Sequence, residues 1–204
     1  MLDPLYTVPF LICLIIAAFR KKGSLSRKRI NDLGIYLSSG YLVVTLLFKW
    51  AAHTRITAAL ENQKIAYSQI STRPAPLNTI LWNANVDTPE EYLIGDYSFF
   101  DTKEPIFRAY SKNRKASKGI EQTNGVQRLI SISEGWYILQ QEQGKWYFND
   151  LRFGLIPIDP ENPQFVFRYQ LEEKDGDVIA TEDRPQPENA SAVVETLWAR
   201  IKGN

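Results

Sequence analysis

Two apolar runs near the start of the chain, split by a short basic segment, restrict its fold more than any other feature. The first is LYTVPFLICLIIAAF (Leu5–Phe19) and the second LGIYLSSGYLVVTLLFKW (Leu33–Trp50). Between them lies RKKGSLSRKR (Arg20–Arg29), with six cations and no acid. A membrane-spanning helix needs roughly 17–25 mainly apolar residues. The second run is uncharged from Leu33 to Phe48, and its Ser38, Ser39 and Gly40 are the small residues that suit close helix packing. The first run is slightly short, and Met1–Pro4 adds a turn; its Pro9 is tolerated in a membrane when neighbours satisfy the freed carbonyl. The expectation is a transmembrane hairpin. A cleaved signal peptide has its positive charge before the apolar core, whereas here Asp3 precedes the core and the cations follow it. The remaining alternative is a buried core hairpin of a soluble protein.

Basic loops stay on the cytoplasmic side of a membrane. That rule puts residues 20–29 in the cytoplasm and everything after Trp50 on the other side, which in a Gram-negative bacterium is the periplasm. The lipid bilayer is then the first partner. Composition agrees once the chain is split. Residues 1–64 carry nine Lys/Arg against three Asp/Glu, and residues 65–204 carry fifteen against twenty. Such asymmetry marks halves in different surroundings. An acidic distal half also excludes nucleic acid, which requires basic surface to displace counterions.

AAHTRITAALENQKI (Ala51–Ile65) has no Gly or Pro, and Ala52, Ile56, Ala59 and Leu60 recur at helical spacing. The second helix is therefore expected to continue as a stalk to about Asn62. The single histidine, His53, lies on that stalk. With no second His nearby it reads as an interfacial polar residue rather than a metal ligand, since metal sites need converging donors. The single cysteine, Cys13, is inside the first run and allows no disulfide within the chain.

Beyond residue 64 the pattern changes to period 2. Strands are expected at 65–72, 79–86, 91–101 and 106–111, with Gly95 a possible bulge. KNRKASKG (Lys112–Gly119) reads as a solvated loop. A short helix near 124–134 ends at Gly135 as its C′ residue. A hairpin at 136–150 with its tip near 142–144, a strand and exit turn at 151–159, a strand at 164–173, a KDGD turn and a weak strand at 178–181 follow. After the loop EDRPQPENAS (Glu182–Ser191), an amphipathic helix at 190–201 closes the chain. The class is α+β: a two-helix transmembrane hairpin plus stalk (1–64), then a mainly antiparallel β-sheet domain (65–204) with a short helix and a C-terminal helix.

No nucleophile elbow, phosphate loop, zinc spacing or HExxH string occurs, so no catalytic residue and no metal ligand is assigned. Asp150 and Arg152, two apart on a strand, share a face and are the candidate ligand-binding pair; an ion pair within the sheet is the competing reading. Asp96 and Asp101 would need a bulge at Gly95 to act together. The aromatics Trp82, Tyr92, Tyr97, Trp136, Tyr137, Trp146, Tyr147 and Tyr169 read as packing rather than a sugar platform.

DPLYTVPFLICLI, RPAPLNTILWNANVD, EYLIGDYSFFD and WYFNDLRFG, in that order, resemble the C-terminal half of the membrane-bound metal-dependent hydrolase family. These are bacterial inner-membrane proteins, some LexA-regulated, and the version here is most similar to Bacteroidetes-type members. The resemblance runs from Asp3 to about Tyr169; PAPLNxxLW and DLRFG are its most specific strings. It implies further transmembrane helices before Met1 and a divalent metal in the full-length protein. The family's HRGxTHS-like and PDxD-like metal strings do not occur here, so no cofactor is expected in this chain. Two functions are expected from this: the C-terminal portion of such a hydrolase, with its catalytic metal-binding half elsewhere, or a membrane-anchored periplasmic binding or interaction module without catalysis.

Overall fold

The computed structural model describes residues 3–156, 164–174, 177–183 and 190–203. Among these it holds five helices and two four-stranded antiparallel sheets. The expected end of the 151–159 segment, the middle of the KDGD turn and most of the 182–191 loop lie outside the described residues.

Helix α1 (Pro4–Ala18) starts on Asp3, whose side chain accepts from the Leu5 N–H at 2.9 Å. Gly23, at φ +80°, helps turn the chain into α2 (Leu25–Asn62), which Ser24 caps by accepting from the Arg27 N–H. The basic loop is thus shorter than expected, because Arg27–Arg29 already belong to α2. At 38 residues and 1.5 Å per residue, α2 is about 57 Å long. It is the one described helix long and apolar enough to cross a membrane; α1 is shorter, at 15 residues. The two helices meet at Gly34, where a Cβ would lie 2.9 Å from that of Cys13. Close packing was expected at Gly40 instead, but no atom comes within 4 Å of a Cβ there. Elsewhere the pair is coated with exposed apolar side chains, Leu11, Ile12, Val43 and Leu46 among them.

Helix α2 ends where expected, yet its upper part is not a free stalk. Ala52, Ile56 and Leu60 are fully buried beneath the first sheet. That sheet is the meander β1 (Gln69–Pro74), β2 (Leu81–Asp87), β3 (Glu91–Ser98) and β4 (Phe107–Ser111). Strand alternation sorts its faces. Trp82, Ala84, Val86, Leu93 and Tyr97 pack on α2, while Tyr92 and Ile94 turn the other way. Gly95 makes no bulge: pairing continues through Ala84–Gly95 and Gly95–Phe107 without a shift. The glycine is needed because the Phe107 ring lies where its Cβ would project, at 2.7 Å.

The single sheet expected from the sequence is in fact two. The second is the meander β5 (Tyr137–Glu142), β6 (Lys145–Ile156), β7 (Gln164–Lys174) and β8 (Asp177–Glu182). Gln143 and Gly144, both at positive φ, form the two-residue turn between β5 and β6 that right-twisted hairpins favour. Trp136, Ile138, Leu151 and Phe165 meet Tyr92 and Ile94 across the gap between the sheets. On the outer face Tyr137, Leu139, Phe148, Leu171 and Val178 surround Val126 of α4 (Asn124–Ile132). The order of layers is α2, first sheet, second sheet, α4.

The supposed loop at 112–119 is largely helix α3 (Arg114–Glu121), with Ser117 buried. Its polar residues suggested solvent, but the half-buried Arg114 is held against the sheet by Glu121 and Tyr92. Helix α5 (Ala190–Ile201) closes one end, packing Ile201 on Ala75 and Leu81.

Candidate functional site

Asp150 and Arg152 do come together. The Arg152 Nη2 and Nε donate to Asp150 at 2.7 and 3.1 Å, and the Arg152 N–H also reaches Asp150 Oδ1 at 3.0 Å. Asp150 is buried. The hydrogen bonds that Arg152 donates to Asp150 hold the Arg152 pKa above its ordinary value, although burial opposes them. Glu134, reversed at φ +56° after α4, joins from the rim and lies between Arg152 at 3.5 Å and Arg73 at 3.4 Å. The result is a four-membered network, Asp150–Arg152–Glu134–Arg73. It takes up most of the charge the pair could offer a ligand.

Beside the network is a cleft of about 540 Å³ lined by Arg73, Pro74, Pro76, Leu77, Asn83, Arg152 and Phe153. Local sequence shapes both walls. One wall is the PAPLN turn. Leu77 sits at φ +64°, and the Asn78 side chain accepts from the Ile80 and Leu81 N–H groups while donating to the Pro76 carbonyl. The other wall comes from the irregular pairing of β6 with β7 between Asp150 and Leu155. Gly154 there is at φ +74°, and a Cβ would lie 3.1 Å from Asn83 Nδ2. Asn85, behind it, donates to the Leu151 carbonyl at 2.6 Å. The strings PAPLNTILW and DLRFG, distant in sequence, therefore line one cleft.

Asp96 and Asp101 also converge, though not as an acid/base pair. The strand ends at Ser98 and the chain turns, so both reach Arg200 of α5. Their role is to dock that helix. His53 is exposed on α2, with Nδ1 3.1 Å from the Thr72 hydroxyl.

A fourth cluster was not foreseen. Glu121 Oε1 accepts from Arg114 Nη1 at 2.8 Å, Ser117 Oγ at 3.1 Å and Tyr137 Oη at 3.1 Å. Arg114 also lies over the Tyr137 ring at 4.1 Å and donates to Tyr92 Oη. Burial pushes the Tyr137 phenol up to about 12 and raises Tyr92 too. Phenols held protonated in this way serve as donors, not bases. The available signal was the spacing of Arg114 and Glu121, two helical turns apart.

Among the described residues no three His, Cys, Asp or Glu side chains gather to hold a metal ion. The donor set of the described residues does not fit a divalent metal, and no step through one is assigned to them. Searches of protein-family models, of curated proteins and of solved structures find no match to the chain.

Proposed function

We propose that the chain is a membrane-anchored module whose sheet domain lies against the outer face of a bacterial inner membrane and serves as a binding or interaction domain. The observation that carries this reading is the divided character of α2. Its uncharged stretch from Leu33 to Phe48 exposes Val43, Leu46 and Leu47, whereas Ala52, Ile56 and Leu60 are buried in the sheet domain. Exposed apolar surface of that extent is expected in lipid, not water. Tyr41 Oη donates to Asp3 at 2.5 Å and lies 3.3 Å from Thr79 Oγ1, and Phe48 touches Phe99. The Thr79 and Phe99 edge of the domain therefore runs alongside the outer half of the apolar stretch and dips into the bilayer, while the rest of the domain rises above Lys49. With the 20–29 loop cytoplasmic, α1 and α2 form the hairpin and the sheets face the periplasm.

The test uses cysteine labelling in a Cys13→Ala background. In intact spheroplasts a membrane-impermeant maleimide should label Lys103→Cys, and should label Ser26→Cys only after lysis. The reverse pattern would overturn the orientation. Release of the protein by alkaline carbonate would overturn the anchoring.

A second reading is favoured by one observation: the two strings most similar to the membrane-bound metal-dependent hydrolases meet at the Arg73–Arg152 cleft. Here the chain is the accessory part of such an enzyme and the cleft selects substrate, while a divalent metal held outside this chain would supply the hydrolytic chemistry. Chelator-sensitive hydrolysis by the purified chain alone would count against it. So would a stop codon directly upstream of Met1 in the genomic frame.

A further inference from the structure

A second groove, which shares Arg73 with the Arg152 cleft, runs between α2 and the edge strand β1. It measures about 520 Å³ and is lined on the helix side by Leu46, Lys49, Trp50 and His53, and on the strand side chiefly by Thr72 and Arg73. Three features give it a distinct chemistry. Its charged groups are the cations Lys49 and Arg73, the His53 imidazole lies beside them, and among the described residues no carboxylate lines it. Lys49 and His53 are four residues apart, so they share one face of α2. One end of the groove is apolar: Leu46 belongs to the exposed apolar stretch, and Trp50 is 70% exposed. Its position follows from the sequence, because the uncharged run of α2 stops at Phe48, one residue before Lys49. Trp beside Lys, where an apolar run ends, marks the level of lipid headgroups. Lysine and arginine reach such headgroups with their stems along apolar surface.

We propose that this groove binds the phosphate of an anionic glycerophospholipid, with Lys49 and Arg73 on the phosphate oxygens and an acyl chain along Leu46. Thr72 fixes the His53 ring through Nδ1, which leaves Nε2 for the same phosphate. Arg73 exchanges its contact with Glu134, which is 3.4 Å away on a carboxylate that is 64% exposed, for the headgroup. Exposed pairs of that kind are held by little energy. The inference rests on the membrane-anchored reading. It adds a ligand class and an order of events: the domain docks on the bilayer by gripping a lipid, and Arg73 links that grip to the Asp150–Arg152–Glu134 network.

The experiment uses the full chain in a neutral detergent, with phosphatidylglycerol, phosphatidylcholine or glycerol 1-phosphate added and bound species counted by native mass spectrometry. The protein should retain phosphatidylglycerol over phosphatidylcholine by about thirtyfold, as two cations at about 1 kcal/mol each would give. Lys49→Gln, at an exposed side chain outside the core, should reduce that preference severalfold, and Lys49→Gln/Arg73→Gln should abolish it, with the melting temperature of the single variant unchanged. An unaltered preference in both variants would overturn the groove as the site. Competition by glycerol 1-phosphate as strong as that by the lipid would overturn a lipid ligand in favour of free phosphate. Loss of the protein from carbonate-washed membranes is the result that removes the anchoring itself; firm anchoring without headgroup preference removes only this inference.

Discussion

The Arg200 guanidinium clasps the Asp101 carboxylate with both terminal nitrogens, at 2.5 and 2.7 Å. The Asp101 side chain is fully buried, and it also accepts from the Ser98 N–H at 2.8 Å. Ser98 Oγ in turn donates to the Ile201 carbonyl. One arginine therefore attaches the closing helix α5 to the end of β3. Arg200→Ala leaves a carboxylate buried without its cation, and such a loss costs about 3–5 kcal/mol. Arg200→Lys should recover only part of this, because an ammonium lacks the planar fork. Asp96, whose side chain is 43% exposed, should matter by about 1 kcal/mol or less when changed to Ala. Urea unfolding of the three variants checks the ranking; equal losses for Arg200→Ala and Asp96→Ala would contradict it.

The Asp150–Arg152 pair yields a similar contrast within one network. The Asp150 side chain is 7% exposed and that of Glu134 is 64%. Arg152→Ala should cost about 3–5 kcal/mol by stranding Asp150, and Glu134→Ala about 0–1 kcal/mol. Removing Asp150 and Arg152 together should cost less than the sum of the single changes, since the residues share one interaction. Additive single and double variants in a thermal-unfolding cycle would show that the two act independently.

Two glycines in adjacent helices should respond to alanine with opposite signs. Gly125 of α4 abuts β8 so closely that a Cβ would lie 1.9 Å from the Val178 carbonyl oxygen. Asp177 provides the reason for this contact. Thr123, the N-cap residue, makes no side-chain cap bond, and Asp177 accepts from the Gly125 N–H at 3.1 Å instead. The Val178 N–H, which also donates to Asp177, and the Gly125 N–H hold the Asp177 carboxyl below its usual range. Gly125→Ala must push the helix off the strand, at about 1–3 kcal/mol or more. Gly119 of α3 has nothing within 4 Å of a Cβ, so Gly119→Ala should stabilise by about 0.4–1 kcal/mol. Melting temperatures of the two variants settle the signs.

Much of the fold could be read from pattern because single strands and helices report their own period. The strands around Trp82, Leu93 and Phe148 are apolar and aromatic runs bounded by turn residues, and α5 shows its stripe at Leu197 and Ile201. What local pattern does not encode is which strands share a sheet. The division after β4 depends on Ile94 and Ile138 meeting face to face across 44 positions of sequence. Helix α3 was hidden for a related reason. Its Arg114 and Ser117 look solvated until Glu121 and Tyr137 are brought to them. At the candidate site, the shared face of Asp150 and Arg152 was legible from spacing, but the partners Glu134 and Arg73 were not. Asp96 and Asp101 were judged as strand residues, and the turn after Ser98 is what aims both at Arg200.

The buried phenols give the chain an alkaline limit. Tyr137 titrates at about 12 when folded against an ordinary value of 10.0, chiefly because burial penalises the phenolate, and Tyr92 is raised from 10.0 for the same first reason. A raised pKa means that the folded state holds its proton where the unfolded state has lost it. The stabilising contribution is therefore complete below about pH 10 and declines as pH rises through the folded values toward about 12. Unfolding free energy should be flat with respect to these groups at neutral pH and fall above about pH 10. Tyr137→Phe keeps the ring under Arg114 but removes the hydroxyl that donates to Glu121. It should cost about 1 kcal/mol near neutrality and lessen the alkaline decline. Tyrosinate absorbance followed from pH 9 to 13, beside urea unfolding at each pH, checks both parts. A variant that declines as steeply as the wild-type protein would remove Tyr137 as a source of the alkaline limit.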